Sequence, residues 1–364
     1  MRALVTDAEV RHSLAVIRSL GSQGYGVTAC SKHPRCQGFF SRFCDTGVIT
    51  PGPGSPGFVP AIKRELARQK SDVLLSGGDQ STLAISRSQD ELSNLCSMAI
   101  PEPGTLTVAA DKQRTLDLAR KMDVPVPKTP RDGGPYPRVV KPRMGGRVLY
   151  VHDEEGLGRA LEDTPSAIVQ ELVPGSTNYA VCALLDHGHP LAVFTHRELR
   201  ELPPTGGSAT VAESIGPNRV TRMGLRMLES VGWHGAAMVE FKHDERDGGF
   251  KLMEINPRFW ASLELAIASG IDFPLLAARL ATGEEIEPVE DYAIGVRFRW
   301  LAQDILHLSQ RPGALPDFLG DFFDPCMRYE VRVDDLKPHI FEISNSIAWS
   351  VKGALGYRVN PRIA

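Results

Sequence analysis

No apolar run in this 364-residue sequence approaches the ~20 residues that a bilayer span requires, so a membrane-spanning helix is not expected. No basic, apolar leader precedes the strand-like run Ala3 to Val5, which makes the cytoplasm the expected setting. Charge of one sign is lacking too. With 41 Lys and Arg against 44 Asp and Glu, a net charge of −3 offers no field to attract nucleic acid or anionic lipid, and neither partner is expected. The six cysteines form no close-spaced disulfide framework. Cys30, His33, Cys36 and Cys44 lack the matched second pair of a zinc site and read as buried or incidental thiols. The stretch Asp7 to His12 after the first strand carries no G-x-G-x-x-G, which excludes a nicotinamide site there. None of the ten histidines stands in a nucleophile motif.

What is present is an ordinary globular composition, 42% hydrophobic and 23% charged, long enough for two or three domains. Residues 1–105 read as a small α/β domain. Its expected elements are a strand Arg2 to Thr6, a helix Arg11 to Ser22, and strands Gly26 to Ser31 and Val73 to Leu75. Pro51 to Gly57 is too rich in proline and glycine for anything but a loop. Ser76 to Asp79 reads either as a ligand loop at the carboxyl edge of a parallel sheet or as a glycine turn capping the next helix. Thr107 to Met122 is expected as one helix, stopped before Pro125 and carrying Lys112. A strand Arg138 to Lys141 places Lys141 before Met144-Gly145-Gly146-Arg147, where glycine lets backbone amides approach phosphate oxygens. Arg219 to Val231 is an amphipathic helix whose Met223, Leu225, Met227 and Leu228 read as core.

The chemistry concentrates in Met238 to Trp260. Val239 to Phe241 and Phe250 to Ile255 read as paired strands joined by the turn Asp247 to Gly249. Successive strand residues face opposite ways, so Glu254 and Asn256 share a face that Glu240 can join from the partner strand. Two acids and an amide suit Mg²⁺, which takes oxygen ligands and completes its shell with phosphates. Arg258 adds a fork that can hold a phosphoryl group.

These residues, with ADKQRTLDLARKMDVPVPKT from Ala109, VVKPRMGGRV from Val139, VQELVPG from Val169 and E-x-N-P-R at Glu254 to Arg258, resemble the ATP-grasp superfamily. Within it, the resemblance is to carboxylate-amine ligase-like proteins related to carbamoyl phosphate synthase and D-alanine ligase. It implies an α/β (α+β) ATP-grasp fold with a Rossmann-like domain over 1–105 and an ATP-grasp domain over 106–285. The latter would divide into a small lid at about 125–175 and a lobe at about 176–285, with 286–364 packing on that lobe as an extension. It implies that Glu240 and Glu254 bind two magnesium ions, or manganese, with Asn256 on the second ion and Arg258 on the transferring phosphate. Lys112, Lys141, Gly145, Gly146 and Arg147 would hold ATP phosphates, and the backbone of Glu171, Leu172 and Val173 would meet adenine. Many relatives place an acid for the ribose where this chain has Asn178, so a charge-assisted contact is missing there.

His196 to Thr210 mixes arginines with a proline-glycine loop. In it Arg200, and secondarily Arg197, are expected to fork a substrate carboxylate, under a movable lid at Thr205 to Ser208. Arg297 and Arg299 share one face of a strand Gly295 to Trp300, solvated or lining the cleft. The expected activity is ligation of a carboxylate to an amine through an acyl phosphate, releasing ADP and phosphate. A kinase acting on a small-molecule hydroxyl, or a non-catalytic nucleotide-binding protein, are the alternatives. Homodimers are common among relatives, though no residue specifies one.

Overall fold

The computed structural model describes residues 1–129, 134–146, 148–175, 177–204 and 206–354, with side chains to 345. The shortest apolar runs build the first sheet. β1 (Arg2–Val5), β2 (Gly26–Ser31), β3 (Thr46–Ile49) and β4 (Val73–Leu75) align in parallel in the order β3-β2-β1-β4. Parallel strands covered on both faces need continuous apolar sequence, and every residue of VLL in β4 is buried.

A three-stranded sheet holds β5 (Arg138–Lys141) between β6 (Leu149–Val151) and β7 (Ile168–Glu171). The largest sheet has seven strands: β8 (Asn178–Asp186), β9 (His189–Leu202), β10 (Ser208–Ile215), β11 (Gly235–Asp244), β12 (Gly249–Asn256), β13 (Arg297–Arg299) and β14 (Met327–Tyr329). They lie in the order β12-β11-β8-β9-β10-β13-β14. The region beyond 285 therefore does more than pack on this sheet, since β13 and β14 extend it at one edge.

One apolar cluster joins the first sheet to the seven-stranded one, running from Val5, Ile17 and Val27 to Phe194, Trp260 and Phe273, all at most 1% exposed. Burying each large apolar side chain stabilises the fold by roughly 2–3 kcal/mol, so the two sheets are held as one body at this seam. A second cluster around Met227, Leu228, Trp233 and Phe241 fills the space beneath the helix Arg219–Ser230. Met223 belongs to that core, and Leu225 packs against it half-buried.

Three expectations change. The helix expected over Thr107 to Met122 is two helices, Pro103–Ala110 and Lys112–Lys121. Asp111 breaks them, because its extended backbone lets its carboxylate accept from the N–H of Gln113 at 2.9 Å and cap the second helix. The segment His196 to Thr210, expected to mix arginines with a proline-glycine loop, begins as strand, since His196 to Leu202 belongs to β9. Arg297 and Arg299 do not line the cleft: Arg299 is fully buried against Asp304 at 2.7 Å, and the half-buried Arg297 pairs with Asp324 at 2.7 Å. No helix among the described residues is long and apolar enough to cross a membrane. Cys30 and Cys36 are buried among apolar neighbours, and burial pushes the Cys30 thiol up to about 12, as expected of structural thiols.

Candidate active site

A cleft of about 350 Å³ lies over one face of the seven-stranded sheet, with β5 to β7 forming its other wall. Its floor follows from strand pairing. Glu240 stands directly opposite Glu254, and Met238 opposite Asn256. A bulge between Glu240 and Phe241 leaves Met253 as the extra residue on β12, so Met253 and Glu254 both line the cleft while Leu252 stays in the core. Asn256 Nδ2 bridges the acids, donating to one oxygen of each at 3.2 Å.

Cations ring this pair. Lys112, the first residue of its helix, reaches Glu254 at 3.2 Å. Lys141, at the end of β5, lines the cleft with its ammonium 3.9 Å from the Met253 sulfur. Arg258 donates to Asn256 Oδ1 at 3.1 Å and to the Phe259 carbonyl at 2.8 Å, while its Nε meets Asp79 at 2.7 Å. Asp79 opens the helix after Gly78, so the Ser76 to Asp79 segment both caps that helix and holds the site arginine across the two sheets.

The two acids respond oppositely to one environment. Burial, then the charge of Glu254, drives Glu240 well above the ordinary carboxyl range. Burial also pushes Glu254 upward, but Lys112, Lys141 and Arg258 together bring it below its usual value. Burial in turn lowers Lys141. Two apposed carboxylates with an amide between them are a donor set that suits a hard divalent cation. The residues present therefore fit magnesium, with Glu240, Glu254 and Asn256 as its oxygen donors.

The other predicted residues are placed unevenly. Glu171, Leu172 and Val173 line the cleft beside Asn178. The Glu171 N–H is already donated to the Lys128 carbonyl at 2.9 Å, so it is unavailable to adenine. The Glu171 carboxylate accepts from Lys128 N at 2.9 Å and Arg246 at 2.8 Å, which fixes the segment. Gly145 and Gly146 take positive φ of 55° and 87° but do not line the cleft. Their loop is tied outward, with Arg143 ion-paired to Asp111 and its carbonyl accepting from Lys112 N at 2.9 Å. Arg147 and Thr205 lie outside the described residues. Arg200 does not reach the cleft: its guanidinium donates to Asp304 at 2.8 and 2.7 Å and pairs with Asp321 on the far face of the sheet. Arg197 pairs across strands with Glu213 at 2.6 Å.

Sequence reasoning missed Glu198 and Lys242, which line the cleft, and Glu201, which accepts from Asn178 beside them. Of two register shifts between β9 and β10, one leaves Thr210 extra on β10 and the other leaves Leu199 extra on β9, which resets the alternation and turns Glu198 and Glu201 to the Asn178 side and Arg200 away. Asn178 Nδ2 donates to Glu201 at 2.7 Å and to Glu198 at 3.3 Å, and Gly207 N donates to Glu201 at 3.3 Å. Burial and then Glu201 push Glu198 up to about 8. The only hint in the sequence was the pair of acids three apart in HRELREL.

These acids give the metal-free protein a pH signature. Glu198 and Glu330 are both pushed up to about 8, chiefly by burial, so their stabilising contribution is complete below ~4.5 and is lost as pH rises through 8. His12 and His196, held down at about 3 by burial, contribute oppositely, but that term is already complete above their unfolded value near 6.5. The melting temperature of the protein in chelator is therefore expected to fall between pH 7 and 8.5. A rise over that window in thermal-denaturation scans would contradict the assignment.

An acid pair ringed by cations thus lies at the end of a cleft between a three-stranded and a seven-stranded sheet. Residues 163–304 match the family model described as "ATP-grasp in the biosynthetic pathway with Ter operon". The large chain of carbamoyl phosphate synthase from Streptomyces griseus is 30% identical over 176 residues, covering 43% of this chain and 16% of that protein. The Myxococcus xanthus large chain is 24% identical over 312 residues, covering 76% of this chain and 28% of that protein. This chain thus spans well under a third of the length of either. Among solved structures, N5-carboxyaminoimidazole synthetase from Staphylococcus aureus, complexed with ADP, superposes with a TM-score of 0.66 at 13% identity, covering 86% of each chain. An L-amino acid ligase from Bacillus licheniformis does so at 0.62 and 17% identity, covering 79% of this chain and 77% of that one. By these matches the chain is similar to ATP-grasp proteins over residues 163–304 and shares the fold of the solved structures.

Proposed function

We propose that this chain is an ATP-dependent carboxylate-amine ligase that works through an acyl phosphate and releases ADP and phosphate. One observation carries the reading: Glu240 and Glu254 face each other with Asn256 between them, and Lys112, Lys141 and Arg258 close around that pair. Two magnesium or manganese ions held by those oxygens would neutralise phosphate charge as Lewis acids. Lys141 and Lys112 hold the phosphate tail, and Arg258, steadied by Asp79, faces the phosphoryl group in transfer. A substrate carboxylate oxygen then bonds to the γ-phosphorus as the bond to the β-phosphate oxygen breaks and ADP leaves. The amine attacks the carbonyl carbon, gives up a proton, and phosphate departs. The carboxylate needs this activation because oxide is a poor leaving group, and the protein's share is to position anions with fixed cations. The setting is the cytoplasm, where unpaired thiols such as Cys30 and Cys182 stay reduced.

Hydroxylamine trapping tests the chemistry. ATP turnover with the accepted carboxylate is expected to yield a hydroxamate, and turnover that yields none would overturn the acyl phosphate.

Asn178 and Glu198 take the place of the missing ribose acid in this reading, with Glu201 positioning the Asn178 amide from behind. A hydrogen bond between uncharged groups is worth about 0.5–1.5 kcal/mol, so 2′-deoxy-ATP should show KM raised roughly 2- to 10-fold over ATP. Glu198→Gln should shrink that ratio toward unity. Equal KM values for the two nucleotides in the unmodified protein would remove the ribose assignment while leaving ligation untouched.

A further inference from the structure

The turn between β8 and β9, remote from the cleft, carries a set of side chains that the ligase reading does not use. His187 and Gly188 both have positive φ, 45° and 92°, as a tight two-residue hairpin requires. The tip is seated on the connection between the helix Arg219–Ser230 and β11. Gly188 N donates to the Trp233 carbonyl at 2.7 Å, and a Cβ at Gly188 would meet Glu229 O at 3.3 Å, so this close approach depends on glycine. The seating stacks His187 on His234, with ring centroids 4.3 Å apart and planes 15° from parallel. Asp186 Oδ1 lies 3.1 Å from His234 Nδ1 and 3.9 Å from His187 Nε2. The Asp186 oxygen lies off the direction a hydrogen bond needs, leaving His234 Nδ1 buried without a hydrogen-bond partner among the described residues.

We infer that Asp186, His187 and His234 form a three-ligand site for a borderline divalent cation, zinc foremost, that clamps the hairpin tip to the start of β11. One ligand atom from each residue falls within 4.8 Å of the others. Zn–N and Zn–O bonds of about 2.0–2.2 Å put ligand atoms roughly 3.0–3.5 Å apart, a contraction that tilting the exposed His187 ring can supply. Two imidazoles and one carboxylate favour zinc, nickel or copper, whereas the all-oxygen set in the cleft favours magnesium. Three protein ligands leave a fourth position for water. The two metal sites are far apart: β8 runs from Asn178 at the cleft to Asp186, about 26 Å at ~3.3 Å per residue. The role is mechanical, since the tip of β8–β9 and the start of β11 anchor the strands that carry Asn178, Glu198 and Glu240.

Calorimetric titration of the full chain with Zn²⁺ in excess Mg²⁺ tests this, with Co²⁺ absorption reporting the ligand field. One equivalent per chain is expected that magnesium does not displace, together with a rise in melting temperature. His187→Asn, which tolerates the left-handed turn, and His234→Asn should each weaken that equivalent by at least the roughly 10- to 100-fold that loss of an outer partner already costs. Both variants should keep their melting temperature in chelator and their magnesium-supported ATP turnover. No zinc uptake in the presence of magnesium, or uptake unchanged in both variants, would overturn the site.

Discussion

Glu254→Gln is expected to reduce ATP turnover by roughly 10³-fold or more while leaving the fold intact, which is the largest functional effect any single change here should have. The amide is isosteric and keeps a hydrogen-bonding oxygen, so the loss isolates charge. Glu254 touches Lys112, at 3.2 Å, and Asn256, at 3.2 Å, while standing opposite Glu240. It is also the acid that the surrounding cations keep ionised, whereas Glu240 is pushed toward its protonated form. Replacing Glu254 therefore removes the fixed negative charge of the pair in the metal-free state. Steady-state ADP release, read beside far-ultraviolet circular dichroism and the thermal shift caused by magnesium with ATP, is the measurement. Turnover within tenfold of the unmodified protein, with the thermal shift preserved, would remove the acid pair from the chemistry.

The sequence was legible where one physical demand acts on contiguous residues. β1, β2 and β4 and the helix Arg11–Ser22 follow from apolar runs and periodicity, and the structure places them with at most a one-residue difference at their ends. Glu240, Glu254, Asn256 and Arg258 were readable because two short strands and a tight turn bring them together with no long-range information. What escaped depended on irregularity or distance. The bulges at Met253 and Leu199 reset strand alternation, and neither has a signature in residue type. The second half of β9, His196 to Leu202, carried no strand signal because its polar residues suggest solvent, yet this sheet turns a face toward a cleft, where acids and amides belong inside. Asp79 became part of the site only through the packing of one sheet on the other. The region after 285 gave no periodic signal because part of its interior is ionic: Arg18 there meets Asp335 at 2.9 Å and Glu264 at 3.1 Å.

That ionic interior supports the second large effect. Arg200→Met is expected to destabilise the protein by about 3–5 kcal/mol, the cost of breaking a buried charge pair from one side. Asp304 is fully buried and accepts from Arg200, from Arg299 at 2.7 Å and from Thr210 at 2.9 Å. Asp321, 4% exposed, pairs with Arg200 and with Arg297 at 3.2 Å. Two carboxylates are thus neutralised by three arginines drawn from β9 and β13. Removing the one that touches both acids leaves negative charge in a medium that solvates it poorly, and methionine fills the space without supplying a donor. Arg200→Lys should recover only part of the loss, because an ammonium cannot repeat the two-point contact with Asp304. Asp321→Asn added to Arg200→Met should recover part by another route, since it removes one of the stranded charges. Urea unfolding midpoints measure these effects, and KM values for nucleotide and carboxylate on the folded fraction separate the two roles of the arginine. A variant as stable as the unmodified protein, but with KM for the carboxylate raised tenfold or more, would return Arg200 to the substrate; a lower unfolding midpoint with KM unchanged assigns it to the wall behind the cleft.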